Sequence, residues 1–393
     1  MVIKKSNLII FVISVLLAHT SLVQRILSWQ GFYYVRWISA ILLAIILLIF
    51  ATKYLTRNIN ILLMAALIMF CMSSLYSSYL NRAGYMLHVG IFNVLFFIET
   101  FGVFKYVRET KKIDVCINTL FFILAFYCFI NDILMFISSE TFYGNGKYFL
   151  YSKFYIAYLH MVLLTLYQCR VNKKTYISLL LWVISIAICI YTECSTGVVG
   201  LVILLLLLLL PDKIAMIMKN EFVALTVAIG SSLFLLLKDA MTLIPAVRYF
   251  IVDILHESIN LNSRMTIYQS LTKILNIHPL WGFGAENNYD ACQRFLVISP
   301  YEAAPDAQNG LIDWLISYGR IGAIILLAVL FLCFRIARKK NREGNVYFLC
   351  TIYSFFVLGS IEIVFDIIFF FLLSGYVYLD LSRQPTVISH RSN

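Results

Sequence analysis

Long apolar runs separated by short polar stretches dominate the hydrophobic pattern of this chain. Twelve runs have the length of membrane-spanning helices, although those at 196–210 and 222–237 are short for a hydrocarbon core of ~30 Å. The run Leu201–Leu210 also lacks the alternation of apolar and polar residues that an outer-membrane barrel strand would show. The pattern predicts an all-α, polytopic integral membrane protein. The twelve predicted spans are residues 8–23, 32–52, 60–79, 88–107, 115–137, 149–168, 175–192, 196–210, 222–237, 309–334, 345–360 and 363–380.

One polar stretch is too long to be a simple connector between two spans. It separates the ninth predicted span from the tenth and contains two amphipathic segments, at 263–277 and 287–299. We expect these segments to lie on the membrane or across the mouth of a cavity. The predicted parts of the chain are helices one to nine in 1–237, the loop in 238–308, three more helices in 309–380 and a tail in 381–393.

Composition and charge placement agree with a membrane protein. The chain is 62% hydrophobic and only 13% charged, which excludes a soluble core, and its net charge is +11. Lys and Arg cluster in alternate short loops, so the positive-inside rule places both termini in the cytoplasm and the long loop outside. Lys4 and Lys5 ahead of the first apolar run resemble the start of a signal peptide, but no convincing small-residue cleavage site follows. The run is therefore interpreted as an uncleaved first span. No basic stripe interleaves with aromatic residues, so no nucleic-acid partner is predicted.

The sequence gives no indication of a metal or cofactor. His256 and His278 are isolated and lack metal-ligand spacing, and no Gly-rich phosphate loop follows a strand. The nine cysteines show no CxxC pair and lie mostly in predicted spans as small apolar residues. Only Cys194 and Cys292 fall on the predicted outer side, where a disulfide between them is one alternative.

The densest polar chemistry lies between Ser263 and Gly322. Ser263 is a predicted N-cap, and the four apolar residues of the following helix recur at i, i+4, i+7 and i+8. Those residues are Ile267, Leu271, Ile274 and Leu275. Pro279 ends this predicted helix, and Trp281–Gly284 supplies a turn.

The predicted span after this region begins with a polar stripe. On a helical wheel, Asn309, Asp313 and Arg320 fall within about 40° of one another, with Ser317 close by. Ionised groups on a membrane helix are costly unless they face protein or water. The stripe is therefore a candidate site.

The order of several short motifs resembles that of a known family. Arg264 leads an aromatic-bearing helix that closes on Pro279 and Gly282-x-Gly284. Gln308-Asn309, nine residues and Gly319-x-x-Gly322 follow. This arrangement resembles the bacterial O-antigen ligase and polymerase superfamily. The step Ser195-Thr196-Gly197 is also similar to the Ser-Arg-Gly step of that family.

The resemblance implies a fold and a reaction. It implies a GT-C-like glycosyltransferase that works without a metal on the outer face of the cytoplasmic (inner) membrane. The implied donor is an undecaprenyl-diphosphate-linked oligosaccharide, and the acceptor is a sugar hydroxyl of another lipid-linked repeat unit. Membrane lipid and the flippase and chain-length regulator of the same pathway are the expected partners. Gln308 stands where the ligases have His, and Thr196 where they have Arg. Members that polymerise repeat units vary more at these positions, so the resemblance favours a polymerase.

The implied chemistry needs cations for the diphosphate leaving group. Arg suits this role because its planar guanidinium can bind phosphate oxygens in a bidentate manner. Arg264 is the first candidate, Arg320 the second and Arg248 the third. By motif position, Gln308 and Asn309 are further candidates for binding substrate.

A base must also orient the acceptor hydroxyl, and the candidates are three carboxylates at the ends of predicted spans. Asp313 lies in the polar stripe, and Glu362 and Asp366 are predicted to lie one turn apart on one helix face. Asp313 could instead pair with Arg320, and Glu362 and Asp366 could be interfacial residues that reach water. Asp306 is a predicted N-cap of the helix that follows it.

Three functions remain open at this point. The leading prediction is a repeat-unit polymerase that makes capsule, exopolysaccharide or O-antigen. A ligase that transfers finished glycan to another acceptor is the second. A flippase for lipid-linked oligosaccharides is the third, although a transporter should show two related halves.

Overall fold

The computed structural model describes most of the chain as a bundle of α-helices. It describes residues 5–23, 26, 31–50, 60–80, 87–137, 148–171, 175–234, 245, 249, 264–284, 287–299, 302–304, 306–339 and 346–379. Within these ranges the helices are joined by turns and extended segments, and one small antiparallel hairpin consists of β1 (Val297–Ser299) and β2 (Glu302–Ala303).

Each of the twelve predicted spans coincides with a helix, and within the described residues three further helices lie between the spans. The helices are α1 Lys5–Leu17, α2 Gly31–Phe50, α3 Ile61–Leu80, α4 Leu87–Glu109, α5 Ile113–Ile137, α6 Lys153–Val171, α7 Tyr176–Tyr191, α8 Ser195–Leu209, α9 Asp212–Met218, α10 Glu221–Phe234, α11 Arg264–Ile277, α12 Asn287–Phe295, α13 Gly310–Lys339, α14 Val346–Leu358 and α15 Ile367–Tyr378. A π-helical turn, Ala18–Leu22, continues α1.

Four of these helices are long and apolar enough to cross a membrane: Gly31–Phe50, Gly90–Glu109, Ile113–Ile137 and Gly310–Lys339. Seven shorter apolar helices accompany them. An apolar helix satisfies its own backbone hydrogen bonds, which a lipid environment requires. The chain is thus a multi-pass membrane protein, and twelve crossings remain a prediction.

The helices of the bundle alternate in direction, so their ends meet at two poles. We call the pole that carries residues 264–308 the loop-bearing end. Helices α6, α8, α13 and α15 begin there, while the basic residues Arg108, Arg170 and Arg338 lie at the other pole. The predicted orientation depends on this separation of basic residues from the loop. The side of the membrane on which each pole lies remains a prediction.

A small second core holds the loop segment on the bundle. Ile267, Leu271 and Ile274 of α11 are buried, which confirms the predicted amphipathic helix. They pack with residues of α12 and with Ile312 and Ile316 of α13. The predicted segment 287–299 is helical only to Phe295, where it turns into β1. Cys194 and Cys292 are both buried free thiols and form no disulfide.

The middle of α13 is broken at Gly319, and this break receives the turn that follows α11. Gly319 has φ 64° and ψ −169°, a conformation that almost no residue except glycine adopts. The amides of Phe283 and Gly284 donate to the carbonyls of Ile316 (2.8 Å) and Ser317 (2.7 Å). In return, the amides of Arg320 and Ile321 donate to the carbonyls of Pro279 (3.0 Å) and Leu280 (3.1 Å). The turn thus replaces hydrogen bonds that α13 would otherwise make within itself.

The two backbones approach so closely that side chains are excluded. A Cβ at Gly319 would lie 2.3 Å from the Leu280 carbonyl oxygen, and one at Gly282 would lie 2.5 Å from the Gly319 nitrogen. Both glycines also have positive φ. Ser77 of α3 also binds this turn, because its hydroxyl donates to the Trp281 carbonyl.

Replacing Gly319 should therefore destabilise the fold. We expect Gly319→Ala to cost at least about 1–3 kcal/mol from the backbone conformation alone, and the clash with Leu280 adds to this cost. Thermal unfolding of the purified protein in detergent measures the effect. The control is Gly230→Ala in α10, where a Cβ meets nothing within 4 Å and alanine favours the helix. Equal melting temperatures for the two variants would contradict the proposed role of the break.

Candidate functional site

The beginning of α13 is fastened to the turn between α14 and α15 at the loop-bearing end. The Gly310 amide donates to the Gly359 carbonyl (2.8 Å), and the Trp314 indole N–H donates to the Phe365 carbonyl (2.8 Å). These bonds bring two regions that are far apart in sequence into contact, and each contains predicted carboxylates. The predicted bases Asp313, Glu362 and Asp366 therefore all lie at this end of the bundle.

Asn309 holds three elements together at this junction. Its side chain is fully buried, and its Nδ2 donates to the carbonyls of Ser232 (2.9 Å) and Ser360 (3.3 Å). Its Oδ1 accepts from the Ile312 amide (3.1 Å), so Asn309 is the N-cap of α13. The predicted N-cap, Asp306, is wrong: its carboxylate accepts from the Gln308 amide (2.9 Å) instead.

Gln308 lies in a backbone conformation that is rare for a side-chain-bearing residue. Its φ is 46°, and the hydrogen bond from its amide to Asp306 forms an Asx-type turn that supports this conformation. Such conformations cluster at functional sites because they carry strain. The substrate-binding roles of Gln308 and Asn309 remain predictions.

The predicted pairing of Glu362 and Asp366 on one helix face is wrong. Residues 361–366 form a turn and an extended segment, and α15 begins only at Ile367. Asp366 is its N-cap, with Oδ1 accepting from the amides of Ile368 (2.9 Å) and Phe369 (3.3 Å). Glu362 lies in the preceding turn, and both carboxylates are half-buried.

The predicted polar stripe on α13 is correct only as far as the helix break. Asn309, Asp313 and Ser317 are buried on one face, but Arg320 follows Gly319 and is exposed. Because the helix is broken at Gly319, the residues after it no longer follow the 100° periodicity of those before it. The helical wheel that grouped Arg320 with Asp313 therefore does not apply. Among the ion pairs of the described residues, these two do not pair with each other.

Asp313 lies close to Cys292 of the loop segment. Burial raises the pKa of the Cys292 thiol in α12, and the negative charges of Asp313 and Asp306 raise it further. The two carboxylates therefore lie within electrostatic reach of the same thiol.

Arg264 and Arg248 are the first and third predicted phosphate ligands. Arg264 is the first residue of α11, which fixes its backbone at the edge of the second core, but its side chain lies outside the described residues. Arg248 also lies outside them. The roles of Arg264, Arg248 and Arg320 remain predictions.

Sequence reasoning missed Tyr158 of α6. Its side chain is 4% exposed, its ring packs against Phe355 at a centroid distance of 5.3 Å, and its hydroxyl has no hydrogen-bond partner among the described residues. The charges of Glu362, Asp366 and Asp306 all reach this hydroxyl. We call these three carboxylates the acidic cluster. One tyrosine among 25 in an apolar chain gives no signal that would single it out.

Comparison with known families agrees with this geometry. Residues 179–327 match the family model described as O-antigen ligase, a range that begins in α7 and ends in the second half of α13. No curated protein matches the chain.

The fold and the site define a multi-pass membrane protein with a polar site at one pole of its bundle. Residues 179–327 are thus similar to the O-antigen ligase family, whose members are glycosyltransferase-like enzymes. The matched range includes the Arg264 helix, the Gly282-x-Gly284 turn and Gly319-x-x-Gly322, so the predicted resemblance is confirmed.

The hydrogen bonds of Asn309 predict that its loss destabilises the junction. We expect Asn309→Ala to lower the free energy of unfolding by about 2–4 kcal/mol, because three hydrogen bonds to buried backbone groups are lost. Denaturation in detergent measures this change. The control is Asn276→Ala on the exposed face of α11, which should change stability by less than about 0.5 kcal/mol. An Asn309→Ala variant as stable as this control would show that the junction does not depend on the side chain.

Proposed function

We propose that this protein is a polysaccharide repeat-unit polymerase that acts on the outer face of the cytoplasmic membrane. It transfers a glycan chain from undecaprenyl diphosphate to a sugar hydroxyl of another lipid-linked repeat unit. The family match supports a glycan transferase of the ligase or polymerase type. The observation that carries the proposal is that two matched motifs, the turn after α11 and the break of α13, bind each other. The start of α13, with Asp313, is fastened to the turn that contains Glu362 and Asp366.

The reaction is a displacement at the anomeric carbon of the donor sugar. The acceptor oxygen forms the new bond to this carbon while the bond to the diphosphate oxygen breaks. Undecaprenyl diphosphate leaves with the bonding electrons, and the acceptor hydroxyl gives its proton to a carboxylate. Neither an oxidant nor a reductant takes part.

The protein divides this work between cationic and acidic groups. Arg264, at the start of α11, is the proposed ligand of the diphosphate, because a guanidinium matches the geometry of phosphate oxygens. Glu362, which lies half-buried in the turn before α15, is the proposed base. Asp366 is assigned to capping instead, because one of its oxygens accepts from two amides of α15.

Gln308 favours polymerase over ligase. A neutral amide cannot accept a proton as a histidine can, and the ligase-type members carry histidine at this position of the motif. Transfer of finished glycan to a different acceptor is the second candidate function. The family match gives no support to a flippase.

A deletion strain distinguishes these functions through the glycans that remain on its lipid carrier. Loss of a polymerase should leave single repeat units on the lipid, outside the membrane, because flipping continues while chain extension stops. The measurement is a mass profile of lipid-linked glycans with and without protection from an external glycosidase. Long polymer on the lipid would instead identify a ligase, and units trapped inside would identify a flippase.

Arg264→Ala tests the proposed diphosphate ligand. We expect chain extension to fall at least 100-fold while the amount of protein in the membrane stays unchanged, because a charge-assisted contact to the leaving group is worth several kcal/mol. Complementation of the deletion strain, read as glycan chain length, measures the loss. Lys273→Ala is the control, because it removes one positive charge from an exposed position of the same helix. Normal chain lengths with Arg264→Ala would disprove the assigned role.

A further inference from the structure

A cavity of about 300 Å³ lies at the pole opposite the loop-bearing end. Its walls come from the end of α6, the first turns of α7, the last turns of α8, the short helix α9 and the start of α14. Along the α7 wall, Thr175 and Trp182 lie roughly 10 Å apart in the direction of the helix axis. The volume is at the lower end of the range of ligand pockets, about 300–1,000 Å³. The cavity therefore suits one chain of a lipid rather than a whole lipid.

The cavity opens between α7 and α8 on the outer surface of the bundle. Leu179, Leu205 and Leu209 line it and are also exposed on that surface. Trp182 and Cys350 line it as well, but both are buried. Since α7 and α8 are apolar helices of a membrane protein, the mouth of the cavity faces hydrocarbon in a bilayer. A hydrocarbon chain is the ligand that can enter by this route.

Two polar side chains reach this apolar cavity without a partner. Gln168 is 5% exposed and Ser178 is 6% exposed, and both line the cavity. Neither side chain makes a hydrogen bond to any part of the chain that the structure describes. Thr175, in contrast, bonds through its hydroxyl to the Tyr167 hydroxyl (2.8 Å) and accepts from the Ser178 amide (3.2 Å). Because unpaired buried donors are costly, a ligand with acceptor oxygens is expected beside Gln168 and Ser178.

The two connections whose ends line the cavity are basic in sequence. Residues 169–175 lead from α6 to α7, and residues 210–215 lead from α8 into α9. Together they contain four basic residues and one acidic residue: Arg170, Lys173, Lys174, Lys213 and Asp212. Lys213 is exposed between the lining residues Leu210 and Ala215. Basic pockets between membrane helices on the cytoplasmic side bind anionic lipid head groups, and the predicted orientation puts this pole on that side.

We propose that this cavity binds one acyl chain of an anionic phospholipid from the leaflet at the basic pole. The chain lies along the leucines of α8 and Trp182. An ester oxygen of the lipid accepts from the Gln168 amide and the Ser178 hydroxyl, and the phosphate lies at the mouth beside Lys213. The cavity is at the pole away from the candidate site, so this inference goes beyond the proposed transferase function and does not depend on it.

Lipid titration of the full-length protein, purified in detergent and washed free of lipid, tests the proposal. The probes are phosphatidylglycerol and phosphatidylcholine with identical acyl chains. We expect one saturable site for phosphatidylglycerol, with a Kd roughly tenfold below that for phosphatidylcholine, because the basic mouth attracts only the net negative head group. Native mass spectrometry counts the bound lipid, and the rise in melting temperature with lipid concentration gives the affinity.

Variants of the walls and of the polar end separate the chain from the ester contact. Leu207→Trp places a large ring in the cavity and should abolish saturable binding. Leu206→Trp is its control, because Leu206 is the exposed neighbour on the same helix and does not line the cavity. Gln168→Leu keeps the size of the side chain and should raise the Kd about 5- to 10-fold, as loss of one hydrogen bond implies.

A charge variant tests the head group. Lys213→Gln should raise the Kd for phosphatidylglycerol about fivefold and leave that for phosphatidylcholine unchanged. Lys111→Gln is the control, because it removes an exposed charge at the same pole from the connection between α4 and α5, which do not line the cavity. Melting temperatures without lipid exclude an effect of folding.

Three results would overturn the proposal. The first is equal binding of the two phospholipids, or no saturable binding of either. The second is an unchanged Kd in both Leu207→Trp and Gln168→Leu. The third is displacement of phosphatidylglycerol by an equimolar amount of undecaprenyl phosphate, which would identify the prenyl carrier as the occupant.

Discussion

The exchange of four backbone hydrogen bonds between a turn and a broken helix is the constraint on which the candidate site depends. A helix in lipid cannot leave its amides and carbonyls unpaired, because each unsatisfied group costs several kcal/mol. At Gly319, α13 interrupts its own ladder, and residues 279–284 supply the missing donors and acceptors. The turn thereby compensates for the hydrogen bonds that α13 loses at the break, and the same bonds fix the turn relative to the bundle. The position of α11, with Arg264 at its start, follows from this attachment.

The same contact explains in physical terms why two glycine motifs occur together in this chain. Gly282 and Gly319 lie at the same crossing, where a Cβ on either would collide with backbone atoms of the other segment. Neither motif touches a substrate through a side chain at these positions. They act by allowing two backbones to meet, which brings the polar residues around them to one end of the bundle.

How far the sequence could predict this structure varied with the kind of signal. The apolar segments were correctly predicted as helices, because length and hydrophobicity alone decide that a lipid-embedded segment is helical. Helix α11 was predicted because Ile267, Leu271 and Ile274 fall on one face. The wheel on α13 failed after Gly319, since a periodicity argument assumes an unbroken helix. The predicted spans 345–360 and 363–380 left a break between them, but residues 363–365 are apolar, so nothing in the local pattern indicated that the second helix begins only at Ile367. Tyr158 could be found only once three distant segments were seen to converge.

The turn at residues 279–284 also restricts the path by which the proposed lipid-linked substrate would enter the site. Gly319 lies nine residues after Gly310, roughly 14 Å along the axis of α13, so the turn is inserted beside the helix rather than draped over it. Swinging this segment outward would expose all eight polar atoms of the four hydrogen bonds at once. It is therefore a fixed wall and not a flap. The hydrocarbon tail of the proposed lipid-linked donor would lie in the bilayer, so this donor would have to enter sideways between helices.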